Sequence, residues 1–519
     1  MKRIPALDSI RGLLLIVMTL NHLFWISGGN SIFQMFTLQP FGQFGAAEGF
    51  ILVSGFLAGA IYSKAKLSNT EIRQKAWGRT LTIYRYHFAC LVIVFAWFGI
   101  CSVYLPEAAQ TLQPNLTSLV EAPWSSTILS FLLVNKPNYL EILPLYIMYM
   151  FLLPGLIAAY RRGWMVWVLL ISAVIWGVSG SISDSVLLSL LTNISPDLSL
   201  QTGYFDPFAW QFMFVIASAF GYAANQANFR WYSAPLAIIA AITALAIMLM
   251  HHGVFNSLGL HQGVLYSLAD KPELGWFRLF NIAIFAYLVA VVIRMRPTWL
   301  VFEPLSYIGR HSLQVFAWHT VMIYIMAPML MTQRFESHYE VLVLLCAASI
   351  WIPAWMRERS GDLSTRKRWS LGGGGAITAA LLLSIMFKPA VVPVVEVDDN
   401  GLAPLVVKIN NIQGEGPVVV LVYSEQDSLT GMPSIHAQGY SPEQAKSGIE
   451  IKEIPTGKYA IFAYQDDDGN NQLTTGPRGM PTEGFGYSNN PALQGPPKMR
   501  QVQFSHPEKA HQTIQFLNL

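Results

Sequence analysis

Residues 7–25 read LDSIRGLLLIVMTLNHLFW, an apolar run fit to cross a membrane as a helix, yet it carries Asp8, Arg11 and His22. Ionisable groups at membrane depth are costly, and they face a bundle interior or a wet cavity. Arg11 and His22 lie 11 residues apart. At 100° per residue that is three turns with about 20° left over, so both share one face, roughly 16 Å apart along the axis. Asp8 precedes Arg11 by three residues, within helical pairing distance. One stripe of this helix therefore holds a carboxylate, a guanidinium and an imidazole. The plainer alternative is an Asp–Arg pair anchoring the helix at an interface, beside an unrelated histidine. The depth of the imidazole argues against it.

The rest of the chain has the composition of a membrane protein. Of 519 residues, 53% are hydrophobic and 12% charged, against roughly 25% charged in soluble domains. Cys90, Cys101 and Cys346 all fall in apolar runs and read as small core residues. The basic start, Met-Lys-Arg, has no small-residue cleavage site after the first apolar run, so that run reads as a retained helix. No nucleic-acid partner is expected; the lipid bilayer is the first partner.

Spans are expected near 8–27, 45–63, 86–105, 139–160, 163–181, 207–225, 233–251, 276–293, 312–331, 339–356 and 374–394. With the N-terminus inside, the cytoplasmic loops collect Lys64, Lys66, Arg73, Lys75, Arg79, Arg161, Arg162, Arg230, Arg294, Arg296, Arg310, Arg357, Arg359, Arg366, Lys367 and Arg368. The opposite loops hold only Lys136, Lys271 and Arg334, with Arg278 at a helix edge. This is the bias of cytoplasmic loops towards positive charge. An odd number of spans leaves the tail outside the cytoplasm. There, short alternating runs (Val418–Tyr423, Ile449–Ile454, Tyr459–Tyr464, Val502–Phe504) are separated by Gly, Pro, Asn and Asp. The expected fold is a polytopic all-α bundle of about 11 helices followed by a small all-β sandwich. Its domains are 1–370, an added helix at 371–394, and an extracytoplasmic domain at 395–519.

Polar groups recur in the other spans. Glu48 enters the second span from the side where His22 lies, and a carboxylate there can orient an imidazole and raise its basicity; snorkelling to the interface is the alternative. Trp77, Arg79, Tyr84, Arg85, Tyr86 and His87 lead into the third span; arginines among aromatics suit phosphates and a stacked base, as well as an ordinary basic flank. Glu141 opens the fourth span, and Asp206, Trp210 and Gln211 open the sixth. Acids beside aromatics suit a sugar, or simply an aromatic belt. Gly309-Arg310-His311-Ser312-Leu313 and Trp318-His319 lead into the ninth; His319 lies mid-helix, where a satisfied core histidine is the alternative.

The stretch Leu7 to Gly12 followed by His22 resembles the Arg-x10-His signature of the acyltransferase-3 superfamily of membrane O-acyltransferases. Glu48-Gly49-Phe50, Ser54-Gly55-Phe56, Tyr84-Arg85 with His87, Leu143-Pro144-Leu145-Tyr146, Trp210-Gln211 and Gly309 to Leu313 resemble its OpgC-like branch. The likeness covers roughly residues 1–360. Tyr464 to Asn470 and Gly479 to Asn490 resemble an uncharacterised periplasmic β-sandwich family. The likeness implies acyl transfer from a cytoplasmic acyl-CoA (succinyl by the branch name, or acetyl) to a hydroxyl of a periplasmic glucan or another envelope glycan. It implies a bacterial inner membrane, glucan-synthesis proteins as candidate partners, and no catalytic metal. The implied catalytic group is His22 with Arg11, Asp8 and Glu48. The implied acyl-CoA contacts are Arg79, Arg85, Tyr84, His87 and Arg310, and the glycan contacts Glu141, Asp206, Trp210, Gln211 and His319. Acetyl-transferring relatives often carry two arginines three apart at the CoA site; Arg79 and Arg85 are six apart. Direct transfer and a covalent acyl-histidine both remain open.

In the tail, Asp466, Asp468 and Asn470 alternate as calcium ligands do, but Pro477 stands where a loop of that kind needs its glutamate, and an acidic turn is the alternative. The rival from another class is a secondary transporter of a sugar or organic anion, against which stands the lack of a visible inverted repeat. A scaffold whose tail does the work is a third reading.

Overall fold

The computed structural model describes residues 3–182, 201–255, 268–358 and 401–517, apart from 30, 227–228, 335, 476–480, 491–496 and 498, together with 265, 374 and 375. It divides into two compact units, Met1–Phe387 and Lys388–Leu519. The expected last span, 374–394, and Arg359, Arg366, Lys367 and Arg368 lie outside the described residues.

The first unit is helical because a chain within lipid must satisfy every backbone group internally. Its principal helices are α1 (Pro5–Ser27), α2 (Ala46–Tyr62), α3 (Asn69–Tyr104), α4 (Ile142–Arg161), α5 (Met165–Gly177), α6 (Pro207–Ala223), α7 (Ala234–His251), α8 (Trp276–Met295), α9 (Glu303–Arg310), α10 (Ser312–Gln333), α11 (Tyr339–Ala348) and α12 (Trp351–Glu358). Among the described residues, seven helices are long and apolar enough to span a membrane, counting Tyr339–Glu358 as one; α2, α5 and α6 are shorter apolar helices. Each falls on one of the ten expected spans before residue 374, and the total of eleven is not established.

Helix α3 runs 36 residues, about 54 Å at the helical rise, well beyond a hydrocarbon core of about 30 Å. Its polar first half is therefore helix and not loop. Ser68 starts it, accepting from the Glu71 amide while Glu71 accepts from the Ser68 amide. Helix α1 begins with Pro5 in its first turn and stops at Gly28, whose φ of 64° suits glycine.

Glycines set the closest crossings. A methyl on Gly12 would overlap the Leu305 carbonyl, and one on Gly309 would overlap the Asp8 carbonyl, so the backbones of α1 and α9 touch. Gly59 and Gly221 bring α2 and α6 together in the same way. Helix α10 is the central post: from Ser312 to Leu330 only Gln314 and Trp318 are not fully buried.

The second unit is a two-sheet β-domain. Its strands are β1 (Leu402–Asn410), β2 (Val418–Ser424), β3 (His436–Tyr440), β4 (Ile449–Pro455), β5 (Gly457–Gln465), β6 (Phe485–Tyr487), β7 (Gln503–His506) and β8 (His511–Gln515). One sheet runs β4-β1-β8, with β1 and β8 parallel; the other runs β3-β2-β5-β6, with β7 also on β5. Val407 and Ile409, Val418 and Val420, and Ile461 and Ala463 close one shared core. Val502, expected as strand, ends a short helical turn before β7.

Candidate active site

His22, half-buried near the end of α1, meets α10. His319 Nδ1 lies 2.7 Å from the Phe316 carbonyl oxygen, an atom that only accepts, so Nδ1 carries the hydrogen. The Nε2 of a neutral His319 is then a lone pair, and it lies 3.2 Å from His22 Nδ1. His22 Nδ1 must donate to it. That leaves His22 Nε2 as an unprotonated acceptor, which is what a general base needs. His319, expected on the glycan, instead orients His22. No local pattern hints at this pairing, since the two residues are 297 positions apart.

Tyr139 and Trp25 wall the imidazole, with ring centres 4.9 and 6.0 Å from it. Tyr139 sits at φ 63°, a left-handed backbone that a bulky residue adopts only when its surroundings impose it. Beyond Trp25 lies the segment 268–275. Trp210 Nε1 donates to the carbonyls of Lys271 and Pro272 (3.2 and 3.1 Å), and Arg278 Nε and Nη2 donate to that of Ala269 (2.9 and 2.7 Å). This segment presents Lys271, whose Nζ stands 5.5 Å from the Trp25 ring, 5.8 Å from Tyr204 and 6.0 Å from Phe205.

Glu48 does not orient His22. Its Oε1 accepts from Arg278 Nη1 at 2.7 Å and its Oε2 from the Gly45 amide at 3.1 Å, with both side chains of the ion pair under 4% exposed. A buried carboxylate must have a partner, and Arg278 supplies it. Asp8 pairs with Arg3 at 2.8 Å and not with Arg11.

Nearer the start of α1, Arg11 Nη2 donates to Ser312 Oγ, its guanidinium lies 5.9 Å from the Phe50 ring, and its buried Nε has no hydrogen-bond partner among the described residues. Tyr146, Asp8 and Arg79 are within electrostatic reach of it, and Tyr62 is within reach of Tyr146 and Arg79. Two guanidiniums, Arg11 and Arg79, and two phenols, Tyr62 and Tyr146, thus gather near this end of α1 with the Asp8 carboxylate beside them, and the guanidiniums suit an anion. Arg85 is exposed, six residues or about 240° around α3 from Arg79. Tyr84 donates to the Phe131 carbonyl at 3.0 Å, and among the described residues the buried His87 has no partner on either ring nitrogen. Arg310 is held by Glu303 and Glu358 at 2.8 and 2.9 Å, an arrangement that leaves it little to offer a phosphate.

The other expected sugar contacts are structural. Trp210 is fully buried and cannot stack on a ring from outside. Asp206 caps α6, accepting from Phe208 and Ala209 amides at 2.7 and 3.2 Å. Gln211 exchanges bonds with Ser172, and the buried Glu141 accepts from the Tyr204 amide at 2.6 Å.

In the β-domain, Asp466, Asp468 and Glu483 place carboxylate oxygens within 4.8 Å of one another. The Asn470 backbone amide donates to Asp466 and Asp468 at 2.9 and 3.1 Å, and its side-chain oxygen accepts from the Gln472 amide at 2.7 Å. Glu483 accepts from the Asp467 and Thr474 amides, so these acids build an acidic turn.

Residues 3–361 match the family described as "OpgC protein", and residues 407–515 one described as "Uncharacterized protein conserved in bacteria (DUF2141)". The first match covers more than half of the chain, so the protein belongs to the OpgC family, membrane acyltransferases of glucan modification. Membership sets the transporter alternative aside. No curated protein and no solved structure matches the chain.

Proposed function

We propose that the protein moves a succinyl group from a cytoplasmic acyl-CoA to a hydroxyl of a periplasmic glucan. The reading takes eleven helices in a bacterial inner membrane, with the N-terminus cytoplasmic and 371–394 carrying 395–519 into the periplasm. The coincidence of ten expected spans with apolar helices supports that topology.

The observation that carries the chemistry is the His319–His22 pair, which leaves His22 Nε2 free to take a proton. The acyl-CoA enters from the Arg11 end, its phosphates drawn by Arg79 and its arm running along α1. A glucan hydroxyl gives its proton to His22 Nε2 as its oxygen attacks the thioester carbonyl. The tetrahedral intermediate collapses, the C–S bond breaks, and the imidazolium returns the proton to the CoA thiolate. Tyr139 and Trp25 keep water from the imidazole, and glucan-synthesis proteins supply the acceptor.

The test is transfer of radiolabel from succinyl-CoA or acetyl-CoA to a periplasmic glucan extract, with protein in nanodiscs. Wild type should label the glucan and His22→Ala should not. Equal labelling by folded His22→Ala ends the proposal.

A further inference from the structure

A partly buried cation with nothing to bond stands beside the base. The Lys271 ammonium has no hydrogen-bond or ion-pair partner among the described residues; it faces only the rings of Trp25, Tyr204 and Phe205. The carboxylates within its electrostatic reach are engaged elsewhere: Glu48 by Arg278 and the Gly45 amide, Glu141 by the Tyr204 amide. Burial pushes the Lys271 ammonium below the ordinary lysine value. An incoming anion would therefore meet a charge already partly stripped of water, at the end of the bundle that holds His22.

The placement is also fixed. Trp210 and Arg278 tie the backbone on either side of Lys271, and Leu274 turns it with a φ of 55°. Trp25 touches both halves of the site, its ring 6.0 Å from the His22 ring and 5.5 Å from Lys271 Nζ.

We propose that Lys271 is the receptor for a free carboxylate on the acyl group, so that this site selects a dicarboxylic acyl donor over a neutral one. A succinyl chain places its carboxylate about 4 Å beyond the thioester carbonyl at ordinary bond lengths. A charge-assisted bond spans roughly 3 Å more. A thioester poised at His22 thus extends about 7 Å towards Lys271, which shares the Trp25 ring with the imidazole. A neutral acetyl group ends short of the ammonium and leaves it unpaired. The inference rests on the acyl-transfer reading and adds to it the residue that reads the donor.

The experiment compares kcat/KM for succinyl-CoA with that for succinamoyl-CoA, its uncharged amide isostere, and for acetyl-CoA, on the full chain in nanodiscs. In wild type the succinyl to succinamoyl ratio should be at least tenfold. In Lys271→Met that ratio should fall to near one, and in Lys271→Arg it should largely return. A wild-type ratio near one, or a preference that survives Lys271→Met, overturns the proposal. If Lys271→Met is inactive with every donor, the wild-type isostere ratio and Lys271→Arg decide. Transfer of no acyl group by wild type would instead refute the enzyme reading, and this inference with it.

Discussion

Removing the Glu48 carboxylate leaves Arg278 charged and buried, and the cost follows from the geometry. The two side chains are 0% and 3% exposed and bonded at 2.7 Å. Deleting one partner of such a pair costs about 3–5 kcal/mol, mostly because the survivor is stranded. The helical unit spans Met1–Phe387; at roughly 2 cal/mol/K of unfolding entropy per residue, that loss lowers Tm by about 4–6 °C. Thermal melting of nanodisc-embedded Glu48→Ala, followed by circular dichroism, should show it. Arg278→Leu should melt early too, while Glu48→Leu with Arg278→Leu should regain most of the loss, since apolar replacement of both partners strands no charge. If Glu48→Ala melted like wild type but lost transfer, the ion pair would be incidental and the carboxylate would belong to the chemistry.

His319→Phe keeps a ring but removes the acceptor that holds His22 Nδ1; initial-rate assays should show kcat falling about tenfold to a hundredfold, the range of lost orienting partners, with donor KM little changed. Gly309→Ala drives a methyl into the Asp8 carbonyl on α1, and a melt should show destabilisation of about 1–3 kcal/mol. Asp427 accepts from the Ser434 hydroxyl and amide and the Ser424 amide, which hold its carboxyl down at about 2. A carboxyl lowered in the fold contributes stability above its unfolded value and loses it as pH falls through the folded one. The loop from Ser424 to Ser434 should therefore stay ordered at pH 4 and loosen near pH 2, with an NMR titration of Asp427 centred there; a midpoint at the ordinary aspartate value would refute those bonds.

Helix positions were legible because lipid forces each apolar run to satisfy its own backbone. The start of α3 was not, since residues 69–85 lack an apolar signal and depend on the Ser68–Glu71 cap. The different faces of Arg79 and Arg85 were readable from the helical angle alone. The partners of Glu48 and His319, Arg278 and His22, lie 230 and 297 residues away, beyond any local pattern. Of the four cations that run against the charge bias of the loops, Lys136 and Arg278 are buried and Lys271 and Arg334 partly so. A cation on the disfavoured side is kept there by a partner or a task. In the β-domain, β1 alternates well, whereas β6 has only three residues, too few to carry a pattern.

The locked crossing of α1 with α9 has a bearing on distance. Gly12 fastens α1 one residue from Arg11, and the imidazole pair fastens it again at His22. The anion-suited cluster and the base are thus two marks on one stiff ruler, about 16 Å apart. A rod pinned at both marks keeps its scale, so on the proposed reading a donor held at the first mark must cover that distance with its own length to arrive at the second.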